Sequence, residues 1–190
     1  MTLIDPYFKK YFELLKNNID SFEDYKSELD SFIQQLDLIR NSNAKIVIAG
    51  NGGSAAIASH FSVDMVKVGK IRCTNFNEPS LITCFSNDYG YENWLQKAIE
   101  VFTDNSDLVI LISSRGESKN IINAATWLKS KGIRIVTFTG FSVNNTLKGL
   151  GDINFWTNCS SYNIVEITHL TWLLSIIDKI SLGSEIKVHK

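Results

Sequence analysis

Two short loops concentrate residues suited to holding an anion. Gly50-Asn51-Gly52-Gly53-Ser54 follows an apolar run and opens a helical stretch. Its glycines allow a tight turn and bring backbone N–H groups close to an anion, while Ser54 adds a hydroxyl. The helix start contributes partial positive charge. A plain tight turn is the alternative. The loop is not G-x-G-x-x-G, and no Lys-Ser/Thr follows as in a Walker A loop. A single phosphate monoester therefore fits better than a dinucleotide or a nucleoside triphosphate. Ser113-Ser114-Arg115-Gly116-Glu117-Ser118 is the second loop, after the strongest apolar run. Its three hydroxyls and one guanidinium suit phosphate. Read alone, Ser118 is also a helix N-cap, and Ser113 and Ser114 are turn formers.

Acid–base candidates are few. His60 and Asp64 lie four residues apart, on one face of the helix that the first loop opens. Such a pair can bind a divalent metal, share proton-transfer work or form a surface pair. Glu166 and His169 share a face of the last helix amid Ile, Leu and Trp. Burying them unpaired is costly, so each needs a partner or a role. The aromatic segment Asn87-Asp88-Tyr89-Gly90-Tyr91 reads as a pocket wall or a subunit contact, with Asp88 as a cap for the next helix as the plainer option. His189 stands in the terminal tail, where solvation is expected.

These residues need elements to position them. The first forty residues read as helix: Asp5-Pro6 is a start signal, and Ser21 with Asp24 resembles a capping box. Phe22, Tyr25, Leu29, Phe32, Leu36 and Ile39 form a heptad-like stripe, for packing on the chain's own domain or for an oligomer interface. Strands are expected at 46–49, 81–84, 108–112, 133–138 and 153–156, and helices at about 55–67, 91–102, 118–130, 142–149 and 162–181. Continuous apolar runs suit parallel strands covered on both faces. The alternation predicts an α/β fold: an open five-stranded parallel sheet in the order 2-1-3-4-5, flanked by helices and preceded by two N-terminal helices. Ligands sit beyond the carboxyl ends of strands where the winding reverses, so strands one and three would bring both hydroxyl loops to one pocket.

The 190 residues suffice for one domain with a real core, read as N-terminal helices for oligomerisation over 1–42 and an α/β sandwich over 43–190. A net charge of −1 gives no electrostatic case for nucleic acid or a polybasic membrane contact. No apolar run approaches a membrane span, and residues 1–16 lack a signal-peptide core. Three scattered cysteines, Cys73, Cys84 and Cys159, fit reduced thiols and a cytoplasmic setting.

Gly50-Asn51-Gly52-Gly53-Ser54-Ala55-Ala56, His60-Phe61, Ser86-Asn87-Asp88-Tyr89-Gly90, Ile112 to Ser118 and Phe138-Thr139-Gly140 together resemble the sugar isomerase (SIS) family, within it the phosphoheptose isomerases. The resemblance covers almost the whole chain. It implies aldose–ketose isomerisation of sedoheptulose 7-phosphate to D-glycero-D-manno-heptose 7-phosphate, at the start of ADP-heptose synthesis. It also implies a homotetramer, often with zinc, no direct nucleic-acid contact, and phosphate contacts at Ser54, Ser113 and Ser118. His60 matches a zinc-ligating histidine. Asp64 stands where the family has a glutamate serving as ligand and base, which makes Asp64 the expected base here. The chain departs from the pattern at Arg115, where the family's "ISTSGNS" loop has serine, and on the last helix. There, aligned with "IQEIH…H", Val165 stands at the glutamine and Leu173 at the catalytic histidine, with His169 one position past the first family histidine. Glu166 and His169 are the expected substitutes. The arginine also resembles the non-enzymatic SIS protein that binds the bacterial replication initiator, which implies an alternative: a phosphosugar- or protein-binding module.

Overall fold

The computed structural model describes residues 5–183; His189 lies outside them. Helix α1 (Pro6–Asp20) begins as its start signal predicts: the Asp5 carboxylate accepts the Tyr7 N–H at 2.8 Å, and Pro6 takes the first helical position. A 3-10 turn, Ser21–Tyr25, leads into α2 (Lys26–Arg40). The capping box does not form, because the Ser21 hydroxyl donates back to Asn18 O at 2.8 Å. Then follow β1 (Ile46–Gly50), α3 (Gly53–Lys67), β2 (Cys73–Thr74), α4 (Pro79–Tyr89), α5 (Trp94–Phe102), β3 (Leu108–Ser113), α6 (Lys119–Ser130), β4 (Arg134–Gly140), β5 (Ile153–Thr157) and α7 (Tyr162–Leu182).

The sheet has the order β2-β1-β3-β4-β5, all parallel, as the strand–helix alternation predicts. Successive side chains point to opposite faces. Ile46, Ile48, Ile110, Phe138 and Phe155 accordingly face α2, α3 and α7, while Val47, Ala49, Val109 and Leu111 face α5 and α6. A wound sheet covered on both faces results.

Two expected elements differ. Residues 81–84 lie in α4, not in a strand. Pro79 stands at its start, and the Glu78 carboxylate accepts the N–H groups of Ser80 and Leu81, fixing a helix N-terminus. The second strand is the pair Cys73–Thr74, bonded to Ile46 and Val47. No helix forms over 142–149. There the Asn145 amide bonds Thr139 Oγ1 and Ser142 O, which holds the segment as turns.

The stripe from Phe22 to Ile39 packs on the chain's own core. Phe32 and Leu36 are fully buried, Phe22 stacks on Trp172 at 5.0 Å, and the Tyr25 hydroxyl donates to Trp156 O at 2.5 Å. An open apolar face lies on α1, where Tyr7, Phe8 and Phe12 are exposed. Among the described residues no helix is long and apolar enough to cross a membrane.

Candidate functional site

Strands β1 and β3 are neighbours, with Gly50 opposite Ile112, so the two hydroxyl loops leave the sheet side by side. The turn after β1 needs glycine twice. A Cβ on Gly50 would stand 2.6 Å from that of Ser54, and Gly52 has φ +55°. A cavity of about 130 Å³ opens between the loops, lined by Asn51, Ser54, Ile112, Ser113, Ser114, Arg115, Ser118, Tyr162 and Glu166. Ser54, Ser113 and Ser114 are buried, and the Ser113 hydroxyl lies 3.3 Å from that of Ser118. Arg115 is exposed to solvent along the same wall. The structure thus brings together the hydroxyls and the guanidinium of both loops.

Asn51 does not merely line the cavity. Its amide exchanges two hydrogen bonds with the amide of Asn120, each 2.9 Å, and its oxygen also accepts the Tyr91 hydroxyl at 3.3 Å. This reciprocal pair ties the first loop to the start of α6. Glu117, a negative charge in the second loop, is turned away: its carboxylate accepts the Thr146 N–H at 2.8 Å and the Thr146 hydroxyl at 2.9 Å.

A second cavity of about 260 Å³ is lined by Gly53, Ala56, Ile57, His60, Glu166, Ile167 and Leu170. Glu166 therefore belongs to both walls. Burial raises its carboxyl above the usual carboxylate range, and a hydrogen bond from the Ser114 hydroxyl acts in the opposite direction. Its carboxylate rests on the α-carbon side of Gly53, where any side chain would collide with it.

Other expected site residues fall elsewhere. His60 Nε2 lies 3.2 Å from Asp64 Oδ2, but Asp64 lines neither cavity. That placement does not suit the expected base, and fits a residue that orients His60. His169 is fully buried, with Nε2 3.0 Å from Thr139 O, so Nε2 carries the proton and donates to that carbonyl. Its rings of contact are Phe138 and Trp172, and burial lowers its pKa to about 4. A substrate in the cleft does not reach it, which corrects its reading as an acid–base residue. Asn87 and Asp88 sit exposed on the last turn of α4, bond to each other at 3.0 Å and line neither cavity. Asp88 does not cap α5 either; that position is Asn93.

On α7 the two residues that depart from the family pattern are core residues. Val165 and Leu173 are both fully buried, Val165 with its methyls against Gly140. From this helix Tyr162 and Glu166 line the first cavity, and Glu166, Ile167 and Leu170 line the second. Asn120 and Tyr162 had no functional reading in the sequence; a polar side chain two residues past Ser118, facing the sheet, was the available signal for Asn120.

His60 and Asp64 were also the expected metal pair. Among the described residues no three His, Cys, Asp or Glu side chains converge on a point that could hold an ion. Two donors that bond each other do not make a zinc site, so the described residues of a single chain do not fit one.

Comparison with known proteins agrees with this geometry. The SIS domain family matches residues 10–140. The phosphoheptose isomerase of Fusobacterium nucleatum is 34% identical over 185 residues, covering 94% of this chain and 93% of that protein. That of Sulfurimonas denitrificans is 34% identical over 145 residues, 72% of this chain and 73% of that one. Among solved structures, the phosphoheptose isomerase GmhA of Neisseria gonorrhoeae superposes with a TM-score of 0.82 at 21% identity, covering 92% of this chain and 97% of that one. The Francisella tularensis phosphoheptose isomerase gives 0.84 at 18% identity, over 96% and 100%. With its paired hydroxyl loops at the β1/β3 switch point and this near full-length similarity, the chain belongs to the SIS-domain family, among the phosphoheptose isomerases.

Proposed function

We propose that this chain is an aldose–ketose isomerase that converts sedoheptulose 7-phosphate to D-glycero-D-manno-heptose 7-phosphate in heptose biosynthesis. The observation that carries the reading is the convergence of Ser54, Ser113, Ser114, Ser118 and Arg115 on one cavity that has a carboxylate in its wall. The hydroxyls and the guanidinium hold the phosphate, and the helix starts after both loops favour its charge. Isomerisation also needs a base for the carbon-bound proton and a group to polarise the carbonyl. The second cavity, which shares Glu166 with the first as a lining residue, offers room for the sugar and brings His60 to it. The names of the curated relatives support the same substrate.

Purified protein incubated with sedoheptulose 7-phosphate should form the aldose phosphate, with and without added zinc. One observation favours a second reading: Ile167 and Leu170 line the second cavity, where further polar groups would assist catalysis. Sugar-phosphate binding without turnover would move the assignment to a phosphosugar-binding or partner-binding module, the replication initiator being one such partner.

A cytoplasmic setting fits the three free thiols. A homotetramer is the proposed assembly, supported by the open apolar row of Tyr7, Phe8 and Phe12 on α1. Light scattering should then report about four times the 21.4 kDa chain mass at micromolar concentration, and a stable monomer would sink the proposed assembly.

A further inference from the structure

We propose that Glu166, rather than Asp64, is the base that carries the proton between C1 and C2, with His60 serving the substrate oxygens and Asp64 positioning His60. The proposal rests on the isomerase reading above and assigns its central chemical role.

Three placements support it. Glu166 is the only carboxylate, among the described residues, that lines either cavity. It stands in the wall they share, with the phosphate loops on one side and His60, Ile167 and Leu170 on the other. A ketose phosphate held by the serines extends its reacting end from the first cavity into the second, past this carboxylate. The carboxylate is also held. Ser114 lines the same cavity wall, and the bare α-carbon of Gly53 gives the carboxylate a seat that no other residue type would leave open. Partial burial strips water from it and makes it the stronger base for a carbon acid. Asp64, by contrast, spends its Oδ2 on His60 at 3.2 Å outside both cavities.

The step balances within these groups. The Glu166 carboxylate takes a proton from C1 of the ketose, the C–H electron pair becomes the C1=C2 bond, and the C2 oxygen accepts a proton. The enediol then loses the proton on its C1 oxygen, C1 becomes the aldehyde carbon, and protonated Glu166 returns its proton to C2. His60, held by Asp64, donates and accepts the oxygen-bound proton, so the enzyme ends as it began.

The test uses the full chain and three variants, E166Q, G53A and D64N. Three readouts apply: turnover of sedoheptulose 7-phosphate, exchange of its C1 proton with D2O by NMR, and thermal stabilisation by the sugar phosphate. E166Q should lose roughly two to four orders of magnitude in turnover and in C1 exchange, the usual scale for a general base. Its stabilisation by sugar phosphate should persist. G53A keeps every functional group and displaces only the carboxylate, so a loss of about a hundredfold is expected from misplacement alone. D64N should lose only about tenfold.

Wild-type activity that survives in E166Q overturns the assignment and leaves the isomerase intact. A D64N loss as deep as that of E166Q hands the base role to Asp64. Loss of sugar-phosphate stabilisation in E166Q makes Glu166 a binding group and also overturns it. A wild-type protein that binds the sugar phosphate but shows neither turnover nor C1 exchange fails the isomerase reading itself.

Discussion

Replacing Ser54 and Ser118 together with alanine should abolish the thermal stabilisation that a sugar phosphate gives the parent. A ligand at a hundred times its dissociation constant stabilises a protein by about 2.7 kcal/mol. For a chain of this size that is a shift of roughly 5–10 °C. Ser54 comes from the first loop and Ser118 from the second, so the pair removes one hydroxyl from each half of the cavity. The cost to the fold should be small. Ser118 stands at the N-cap position of α6 but makes no cap bond with its side chain; its hydroxyl is turned to Ser113 instead. Differential scanning fluorimetry with and without sedoheptulose 7-phosphate reads the outcome. A double variant stabilised as well as the parent would show that the phosphate binds elsewhere.

Acid should destabilise the protein through His169. Burial holds its folded pKa at about 4, below the ordinary 6.5, because the interior penalises the charged ring. Between these values the unfolded chain takes up a proton that the folded chain refuses. Stability therefore falls as pH drops from about 6.5 to 4 and levels off below, a loss of about 3 kcal/mol from this residue. Glu166, whose folded carboxyl is raised, contributes in the opposite direction in the carboxylate range. Urea unfolding from pH 7 to pH 4.5, compared with His169→Gln, isolates the histidine. Glutamine keeps a donor for Thr139 O and has no proton to gain. Equal acid sensitivity in parent and variant would rule out His169 as the source.

Most of the sheet was legible because β1, β3 and β4 are buried on both faces and read as unbroken apolar runs. β2 was not, since two half-buried residues at the sheet edge carry no pattern. The run Leu81-Ile82-Thr83, with two β-branched residues, imitated a strand, and only the Glu78-Pro79 start overrides it. In the site, the hydroxyl loops were readable as compact local motifs. The side chains of α7 were not, because that helix is apolar on several faces. Ile164, Val165, Trp172, Leu173 and Ile176 are all buried, so periodicity does not single out the face that carries Glu166. A residue's turn around such a helix is decided by its neighbours in space, here Gly53 on one side and Thr139 on the other.

The reciprocal amide pair of Asn51 and Asn120 also bears on how the protein ages. Asn51 precedes Gly52, and asparagine before glycine is the pairing most prone to spontaneous cyclisation, in which the next backbone nitrogen attacks the side-chain carbonyl and ammonia leaves. That attack needs the amide to swing onto its own backbone. Here both ends of the amide are engaged with Asn120, and its oxygen also with Tyr91. The loop thus holds its most perishable side chain in a pose that opposes its own decay. Deamidation, once it occurred, would set a carboxylate against the Asn120 oxygen and put a negative charge beside the phosphate seat.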